Sequence, residues 1–419
     1  MKILWFITNM DYRQHDKYVG CGWVSSLLQL LSSNKDIEIG VVFYSEKVDK
    51  LIIDEESNPV QFVIPSYLNR LEKVMRNIKF MDFLWEERAE LLQLVLDKFS
   101  PDVIHVFGTE NPFGLIAIKT RIPVLIHLQG ILNPIVVKWF PNGYNNLDVL
   151  KKTSLVNIFK FSGLWADYVK YRKMVLREEK IFYITKYFSG RTDWDKRIVN
   201  LMSKSSKYYH CDEILRPVFY LHQWQKKSLN KSIQLISIAN PNLYKGIETI
   251  FETAKLLQKY TRHKLLWNVA GITHDNLMVK MFSSKTKIDP NLVGIKFMGP
   301  LPEATVVDKM LEADMFIHAS HIDNSPNSLC EAMILGMPII STNVGGIQSL
   351  ITDKVEGILV QDGDAFGLAG AINDLIENQS DAFIYGARAR EKALNRHDPQ
   401  TIVNKQLLIY RDILKINDV

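Results

Sequence analysis

Residues 314–357 read DMFIHASHIDNSPNSLCEAMILGMPIISTNVGGIQSLITDKVEG. The apolar run from Met315 to Ile317 predicts a buried strand, and a polar loop follows it. A helical pattern near 327–335 and a second apolar run, MPIIST, come next. A strand, a helix and a strand in this order are typical of a parallel sheet with helices on its faces. The stretch therefore predicts an α/β architecture.

The same alternation extends in both directions along the 419 residues. This length suits two domains of about 200 residues. We predict a Rossmann-like domain over 1–220, a second one over 221–398, and a terminal helix over 399–419 that could pack back on the first domain. Open parallel sheets bind ligands at the carboxyl ends of their strands, so we expect the site in the cleft between the two domains.

The composition is that of a globular protein. Hydrophobic residues make up 47% and charged residues 23%, and no apolar run approaches the roughly 18 residues of a membrane helix. Cys21, Cys211 and Cys330 form neither a disulfide framework nor a metal motif, which indicates a reducing compartment. We expect a cytoplasmic protein. The net charge of +5 gives no indication of a nucleic-acid partner.

One segment differs from the rest of the chain in charge. Residues 138–191, the basic aromatic segment, contain eleven Lys or Arg against four Asp or Glu, with aromatic residues interleaved among them. Such a pattern is expected of a surface that lies against anionic headgroups, so one prediction is peripheral contact with the inner face of the plasma membrane. A solvated helical insertion is the alternative.

The helix predicted at 327–335 could bind a nucleotide. Glu331 lies in its first turns, where the carboxylate can accept hydrogen bonds from the two hydroxyls of a ribose. The backbone N–H groups around Asn327, Ser328 and Leu329 lie at the positive end of this helix, which suits a diphosphate.

These residues resemble the donor site of glycosyltransferase family 4, a retaining family of the GT-B fold with two Rossmann-like domains. The resemblance rests on EAMILGMPIISTNVGG, which begins at Glu331, and on a carboxylate eight positions earlier, here Asp323 where the family has Glu. It implies that Glu331 binds the donor ribose and that Asp323 contacts the donor sugar. The alternative for Asp323 is a structural cap of the turn that follows it.

A second stretch, SIANPNLYKGIETI, resembles the family's segment that binds the donor diphosphate. Lys245 and Gly246 match the family's Lys and Gly, and Asn240 stands where the family has Arg. Lys245 is expected to stabilise the departing phosphate. Arg191 and Arg216 remain open as sources of the second positive charge.

The amino-terminal half supports the resemblance by pattern. Gly20 and Gly22 correspond to the family's glycine-rich loop, which approaches the donor phosphate or the acceptor. Gln129 occupies the position where many members have a His, and His127 lies on the same face of the predicted strand. Either could hydrogen-bond a sugar hydroxyl, with a buried structural role as the alternative. Glu110 is a weaker candidate at the cleft edge.

No metal or other cofactor is expected. The pair Asp193 and Asp195, which matches the metal motif of another glycosyltransferase fold, is interpreted as structural, with Asp193 as a helix N-cap. The resemblance implies metal-independent transfer of a hexose-type sugar, with retention, from a UDP- or GDP-sugar to a saccharide or lipid-linked acceptor. The context would be bacterial surface polysaccharide synthesis. Two alternatives remain: a nucleotide-sugar epimerase of the same fold, and a weakly active nucleotide-sugar-binding subunit.

Overall fold

The computed structural model contains two parallel sheets, one in each half of the chain. It describes residues 1–8, 22–66, 88–159, 161–226, 228–229 and 232–417. The first sheet has the strand order β3-β4-β2-β1-β5-β6-β7-β8, in which β3 alone is antiparallel to its neighbour, and the second has the order β11-β10-β9-β12-β13-β14. In the described residues the strands are β1 Lys2–Phe6, β2 Glu38–Ser45, β3 Ile52–Asp54, β4 Val60–Pro65, β5 Val103–Phe107, β6 Val124–His127, β7 Tyr187–Gly190, β8 Lys207–His210, β9 Ser232–Ile238, β10 Lys264–Ala270, β11 Ile295–Gly299, β12 Met315–His318, β13 Ile339–Thr342 and β14 Ile358–Val360.

Helices cover both faces of each sheet. In the described residues they are α1 Gly22–Ser32, α2 Ala89–Phe99, α3 Leu132–Val137, α4 Asn146–Lys152, α5 Leu155–Phe159, α6 Leu164–Ile184, α7 Asp193–Met202, α8 Pro217–Tyr220, α9 Ile247–Tyr260, α10 Leu277–Thr286, α11 Glu303–Glu312, α12 Asn327–Leu335, α13 Ala365–Glu377, α14 Gln379–Arg396 and α15 Pro399–Asn417. Buried apolar clusters lie on both faces of both sheets, as expected for doubly wound domains.

The strand order changes direction once in each sheet. The first sheet grows outward from β1 and β5, and the second from β9 and β12. The loops that follow two such neighbouring strands run in opposite directions. Open α/β sheets bind ligands in the crevice between these loops, at the carboxyl ends of the strands. The loops that begin at Gly108, Ala239 and Ala319 therefore start at these two switch points.

The terminal helix α15 packs on the first sheet. Ile402, Tyr410 and Ile413 of this helix belong to the same buried cluster as Ile3 and Trp5 of β1. The Trp5 indole N–H donates a hydrogen bond of 3.0 Å to the Tyr410 hydroxyl. The last helix in the chain thus completes the core of the first domain.

The basic aromatic segment joins the two domains. Trp139 and Val149 are buried in the core cluster of the second domain, and Tyr144 packs against it with its ring 5.1 Å from that of Phe282. Trp165, Tyr168 and other aromatic side chains of the segment pack against the same cluster. These rings pack on protein and are not a membrane-facing set, whereas peripheral membrane contact through other residues of the segment stays a prediction. The alternative, a solvated insertion, does not describe them either.

Charged contacts accompany this apolar contact. Lys138 Nζ lies 2.8 Å from Asp362 Oδ2, and the other oxygen of Asp362 lies 2.5 Å from Nδ1 of His321. His321 Nε2 lies 2.7 Å from Glu248 Oε1. Burial would lower the pKa of His321, but the two carboxylates raise it to about 9. The imidazolium therefore links carboxylates that would otherwise repel one another, and Lys138 ties the group to the first domain.

Among the described residues, no helix is both long and apolar enough to cross a bilayer.

Candidate functional site

A cavity of about 310 Å³ lies where the two switch points face each other. The loops after β5, β6 and β7 form one wall, and the loops after β9 and β12 form the other. The residues around it are Trp23, Glu110, Gln129, Gly130, Ile131, Leu132, Ile135, Tyr171, Arg191, Trp194, Asn240, Tyr244, Lys245, Ile322, Asp323, Asn324, Ser325 and Asn327. Polar groups together with aromatic rings in a concave site are typical of a binding pocket for a small polar ligand.

Lys245 and Asp323 form an ion pair in the wall of the second domain. Lys245 Nζ lies 2.6 Å from Asp323 Oδ2, and His318 Nε2 lies 3.2 Å from the same oxygen. Burial alone would raise the pKa of Asp323, but the charge of Lys245 and the contact with His318 hold it well below its usual range. Asp323 is therefore ionised at neutral pH, and it fixes the position of the Lys245 ammonium group. An ammonium group has three N–H donors, so this pair leaves donors available for a ligand.

The loop that carries Lys245 depends on a glycine. Gly246 has a φ of +70°, and a Cβ atom at this position would lie 1.8 Å from the backbone oxygen of Ala319. Only glycine allows the loop after β9 to approach the loop after β12 so closely. Asn240, which stands at the position of the family's Arg, also lines the cavity.

Helix α12 begins at the cavity. Asn327 lines it, and the N–H groups of Leu329 and Cys330 both donate to the backbone oxygen of Pro326. The first N–H groups of a helix have no partner within it, so those of Asn327 and Ser328 remain for a ligand. Leu329 contributes a buried side chain to the core.

Glu331 follows one turn later and is paired with an arginine. Arg216 Nε lies 2.7 Å from Glu331 Oε1, and Arg216 Nη2 lies 2.8 Å from Oε2. Burial raises the pKa of Glu331, although the guanidinium group acts in the opposite direction. Both oxygens that the resemblance assigns to the donor ribose are thus occupied by Arg216 in this structure.

The first domain contributes a second cation to the cavity. Arg191 donates from Nη2 to the backbone oxygen of Gln129 at 2.8 Å, and its guanidinium carbon lies 5.3 Å from the centre of the Trp23 ring. Its Nε lies 3.9 Å from Glu213 Oε2, and the side chain is only 4% exposed. A buried guanidinium group that lines a cavity is suited to an anionic ligand.

The sequence comparisons agree with this geometry. Residues 221–392 match the family model described as glycosyl transferases group 1. The match covers the second domain, which is therefore similar to the group 1 glycosyltransferases. This match confirms the resemblance that the Glu331 stretch carries.

Two curated relatives match parts of the chain. The amylovoran biosynthesis glycosyltransferase AmsK of Erwinia amylovora is 27% identical over 183 residues, which is 41% of this chain and 44% of that protein. The capsular polysaccharide biosynthesis glycosyltransferase CapM of Staphylococcus aureus is 23% identical over 171 residues, again 41% and 44%. The chain thus spans less than half the length of each of these relatives.

Solved structures resemble the whole chain. Sucrose-phosphate synthase of Thermosynechococcus elongatus has a TM-score of 0.70 at 14% identity and covers 99% of both chains. HepE of Anabaena, solved in complex with UDP and glucose, has a TM-score of 0.64 at 15% identity over 98% of this chain and 99% of that one. At such identities the likeness shows the fold alone, and it confirms the GT-B architecture predicted for this chain.

Not every predicted site residue lines the cavity. His127 is fully buried, with its ring 4.7 Å from that of Trp23 and its Nδ1 3.0 Å from Ser189 Oγ. Burial holds the pKa of His127 well below its usual range. Trp23, rather than His127, faces the cavity, so this imidazole lies behind the wall. Gln129, two residues later, lines the cavity.

The predicted glycine-rich loop is described only in part. Gly20 lies outside the described residues. Gly22 begins α1, and a Cβ atom there would lie 3.1 Å from Cγ of Arg216. The start of α1 therefore contacts the same arginine that pairs with Glu331, a contact that no sequence motif indicated.

Glu110 lines the wall of the cavity that the first domain forms, whereas the loop that carries Lys245 belongs to the second domain. Burial raises the pKa of its carboxyl group, and the charge of Glu178 adds to this effect. Glu178 is itself buried and accepts hydrogen bonds from the backbone N–H groups of Leu132 and Asn133 at the start of α3. Glu110 is thus a poorly solvated carboxyl group that a ligand could hydrogen-bond.

The Asp-x-Asp pair holds the two domains together. Asp195 is buried and accepts hydrogen bonds from Tyr208 Oη at 2.6 Å and from Asn324 Nδ2 at 3.0 Å. Asn324 belongs to the second domain, and its Oδ1 accepts from Thr192 Oγ1 at 2.6 Å. The N-cap of α7 is Thr192, so the assignment of Asp193 as the N-cap is wrong by one residue. A Thr side chain immediately before the helix can also make this bond, and here the Thr192 hydroxyl accepts from the N–H of Asp195.

One group of side chains has the composition of a metal site. Glu213, Cys330 and His397 are buried, and their ligand atoms lie within 4.8 Å of one another. Burial would raise the pKa of Glu213, but neighbouring charges, Arg191 first and then His397 and Arg396, lower it to about 2. Two guanidinium groups beside the carboxylate oppose the entry of a cation, so these residues fit an internal ion-pair cluster better than a metal.

Sequence reasoning did not find several residues of the site. His318, Asn324 and Tyr171 contact or line it. His318 ends β12 at the switch point, and that position was the available signal. Tyr171 comes from the basic aromatic segment, where composition did not indicate a contact with the cleft.

Proposed function

We propose that the chain is a retaining glycosyltransferase that transfers a hexose-type sugar from a nucleotide sugar to a saccharide or lipid-linked saccharide. The observation that carries the proposal is the cavity at the two switch points, where Lys245, Arg191 and the start of α12 present positive charge to one space. A nucleotide diphosphate is the anion that such a site would hold in this family. The names of the relatives AmsK and CapM support a role in surface polysaccharide synthesis.

The donor side of the cavity would hold the leaving group. The N–H groups at the start of α12 and the ammonium group of Lys245 would bind the diphosphate, and Glu331 would bind the ribose. The complexes of HepE with UDP and with UDP-glucose support a nucleotide-sugar donor, with UDP- or GDP-sugars as the first candidates here.

The reaction would proceed on one face of the sugar. The acceptor oxygen forms a bond to the anomeric carbon as the bond to the phosphate oxygen breaks, and the departing diphosphate takes the acceptor's proton. The charge that develops on the diphosphate is stabilised by Lys245, Arg191 and the helix dipole, so the proposal needs neither a metal ion nor a protein nucleophile. Asp323 would hold Lys245 in place throughout.

The test is acceptor-dependent release of nucleoside diphosphate from UDP-, GDP- and ADP-sugars, with a bacterial membrane extract as the source of acceptor. We expect one donor to be consumed, and Asp323→Asn to lower the rate by about 100-fold because Lys245 loses its fixed position. Asp308→Asn is the matched control, since Asp308 is exposed on α11. NMR of the product should show that the anomeric configuration of the donor is kept.

The other results would identify other functions. Interconversion of the donor sugar without an acceptor would indicate an epimerase. Donor binding without turnover on any sugar would indicate a binding subunit. An inverted product would contradict the retaining mechanism while leaving the transferase intact.

A further inference from the structure

Arg216 lies in the connection between the two domains. It is the N-cap residue of the short helix α8, after the last strand of the first sheet and before the first strand of the second. Its guanidinium group lies 4.7 Å from the centre of the Phe219 ring, and its aliphatic part contacts the start of α1 at Gly22. The residue thus contacts elements of both domains beside the nucleotide site.

The two side chains of the Arg216–Glu331 pair differ in their exposure to solvent. The Glu331 side chain is 4% exposed, whereas the Arg216 side chain is 25% exposed. The two parallel hydrogen bonds use both carboxylate oxygens, which is the strongest geometry for this pair. The arginine can therefore leave towards solvent or the cavity, but the carboxylate cannot. A buried carboxylate is stable only with a partner, so whatever displaces Arg216 must take over its hydrogen bonds.

The diphosphate side of the site has one positive charge fewer than the family pattern. Asn240 stands at the position where the resemblance expects Arg, and it carries no charge. The N–H groups of Asn327 and Ser328 lie about one helical turn from Glu331, a distance that an arginine side chain spans. A guanidinium group also binds phosphate through two parallel hydrogen bonds, as it binds a carboxylate.

We infer that Arg216 is a donor-binding residue that exchanges Glu331 for the diphosphate when the nucleotide binds. The inference rests on the proposed function. The ribose hydroxyls donate to the oxygens of Glu331, and the released guanidinium group pairs with the diphosphate. A ligand with both a ribose and a diphosphate satisfies both partners. A nucleoside separates the pair and leaves the guanidinium group only its looser contact with the exposed Glu303, whose Oε2 lies 3.8 Å from Arg216 Nη1. Arg216 therefore makes the site select nucleoside diphosphates over nucleosides.

Binding measurements on the full chain test this exchange. Calorimetry with UDP, GDP and ADP first selects the base, and the matching nucleoside is then compared with its diphosphate. For Arg216→Ala we expect the diphosphate to bind about 10- to 100-fold more weakly, as for the loss of a charged hydrogen bond. The nucleoside should bind as tightly as to the wild type or more tightly, because it no longer has to displace the guanidinium group.

A second variant guards against misfolding. Arg216→Lys keeps a charge beside Glu331 but lacks the planar guanidinium group. It should therefore lower the affinity for the diphosphate by a smaller factor and leave the affinity for the nucleoside unchanged. An equal loss of affinity for the nucleoside and the diphosphate would refute the exchange and would show that Arg216 only holds Glu331 in place. A gain of affinity for both ligands would also refute the exchange, because Arg216 would then only block the site. Failure of every diphosphate to bind the wild type would instead overturn the proposed function.

Discussion

Replacement of Trp139 by Ala should weaken the contact between the two domains. Trp139 follows α3 of the first domain, is 1% exposed, and lies in one buried cluster with Leu243 and Ile247 of the second domain. Its ring centre lies 4.6 Å from that of Tyr171 and 5.7 Å from that of Tyr244. Trp→Ala changes at buried sites cost about 3 to 5 kcal/mol, and here part of that cost falls on domain association.

The assay is urea unfolding followed by circular dichroism, with small-angle scattering in buffer to detect separation of the domains. The matched control is Leu147→Ala in the same segment, where the side chain is 63% exposed and the expected change stays within about 0.5 kcal/mol. Sedimentation with anionic vesicles should be the same for Trp139→Ala and the wild type. Loss of vesicle binding with an unchanged unfolding midpoint would refute the assignment of Trp139 to the domain contact.

Two further predictions concern single residues. Gly246→Ala should lower donor turnover by at least about 10-fold, because its Cβ would collide with the oxygen of Ala319 in addition to the strain of a left-handed backbone, about 1 to 2 kcal/mol. Gly143→Ala is the control, because Gly143 has a φ of +79° and no atom lies within 4 Å of an added Cβ, so this variant should show the backbone strain alone. Equal turnover in the two variants would contradict the argument. His321 has a pKa raised to about 9, so its contribution to stability, about 3 kcal/mol, is present below pH 6.5 and is lost as the pH rises through 9. His321→Gln should remove this pH dependence in unfolding experiments, whereas substitution of the exposed His274 should not.

The sequence predicted the second domain best where local pattern and motif coincide. The helix expected near 327–335 is Asn327–Leu335, because a Pro marks its start and Gly336, with a φ of +81°, marks its end. The strands around it are continuous apolar runs, as buried parallel strands are. Both signals act over a few residues, and a single sequence displays such signals directly.

The ion-pair partners of the charged site residues could not be predicted from local sequence patterns. Lys245 and Asp323 are 78 residues apart, and Arg216 and Glu331 are 115 apart. A motif states that a carboxylate is present but not which cation lies beside it. The pairing depends on strand order and on how the two domains meet, and neither is encoded in the spacing of the motif.

The contact of the basic aromatic segment with the second domain could not be predicted, for a related reason. A helix that docks on a membrane and a helix that docks on another domain both need aromatic rings on one face and charges on the other. The partner surface, which includes Tyr244 and Phe282, comes from residues about 100 positions later. Composition therefore identified a docking segment and could not identify what it docks on.

The two departures from the family pattern, Asn240 and Asp323, are best understood together. A Glu at position 323 would extend one methylene further into the cavity, whereas the Asp carboxylate ends at the wall, where Lys245 and His318 contact it. The backbone is fixed beside it, because a Cβ atom on Gly345 would lie 1.9 Å from the oxygen of Asp323. One full charge of Lys245 is thereby partly neutralised while Asn240 supplies none, so the wall of the second domain has little net positive charge of its own. The proposed leaving group is dianionic and needs more than that. Arg191, which lines the cavity, and Arg216, which pairs with Glu331, both precede the second sheet. Charge stabilisation in the proposed transfer would thus depend on the approach of the two domains, and mutations that loosen their contact should slow turnover even when every side chain of the donor wall is intact.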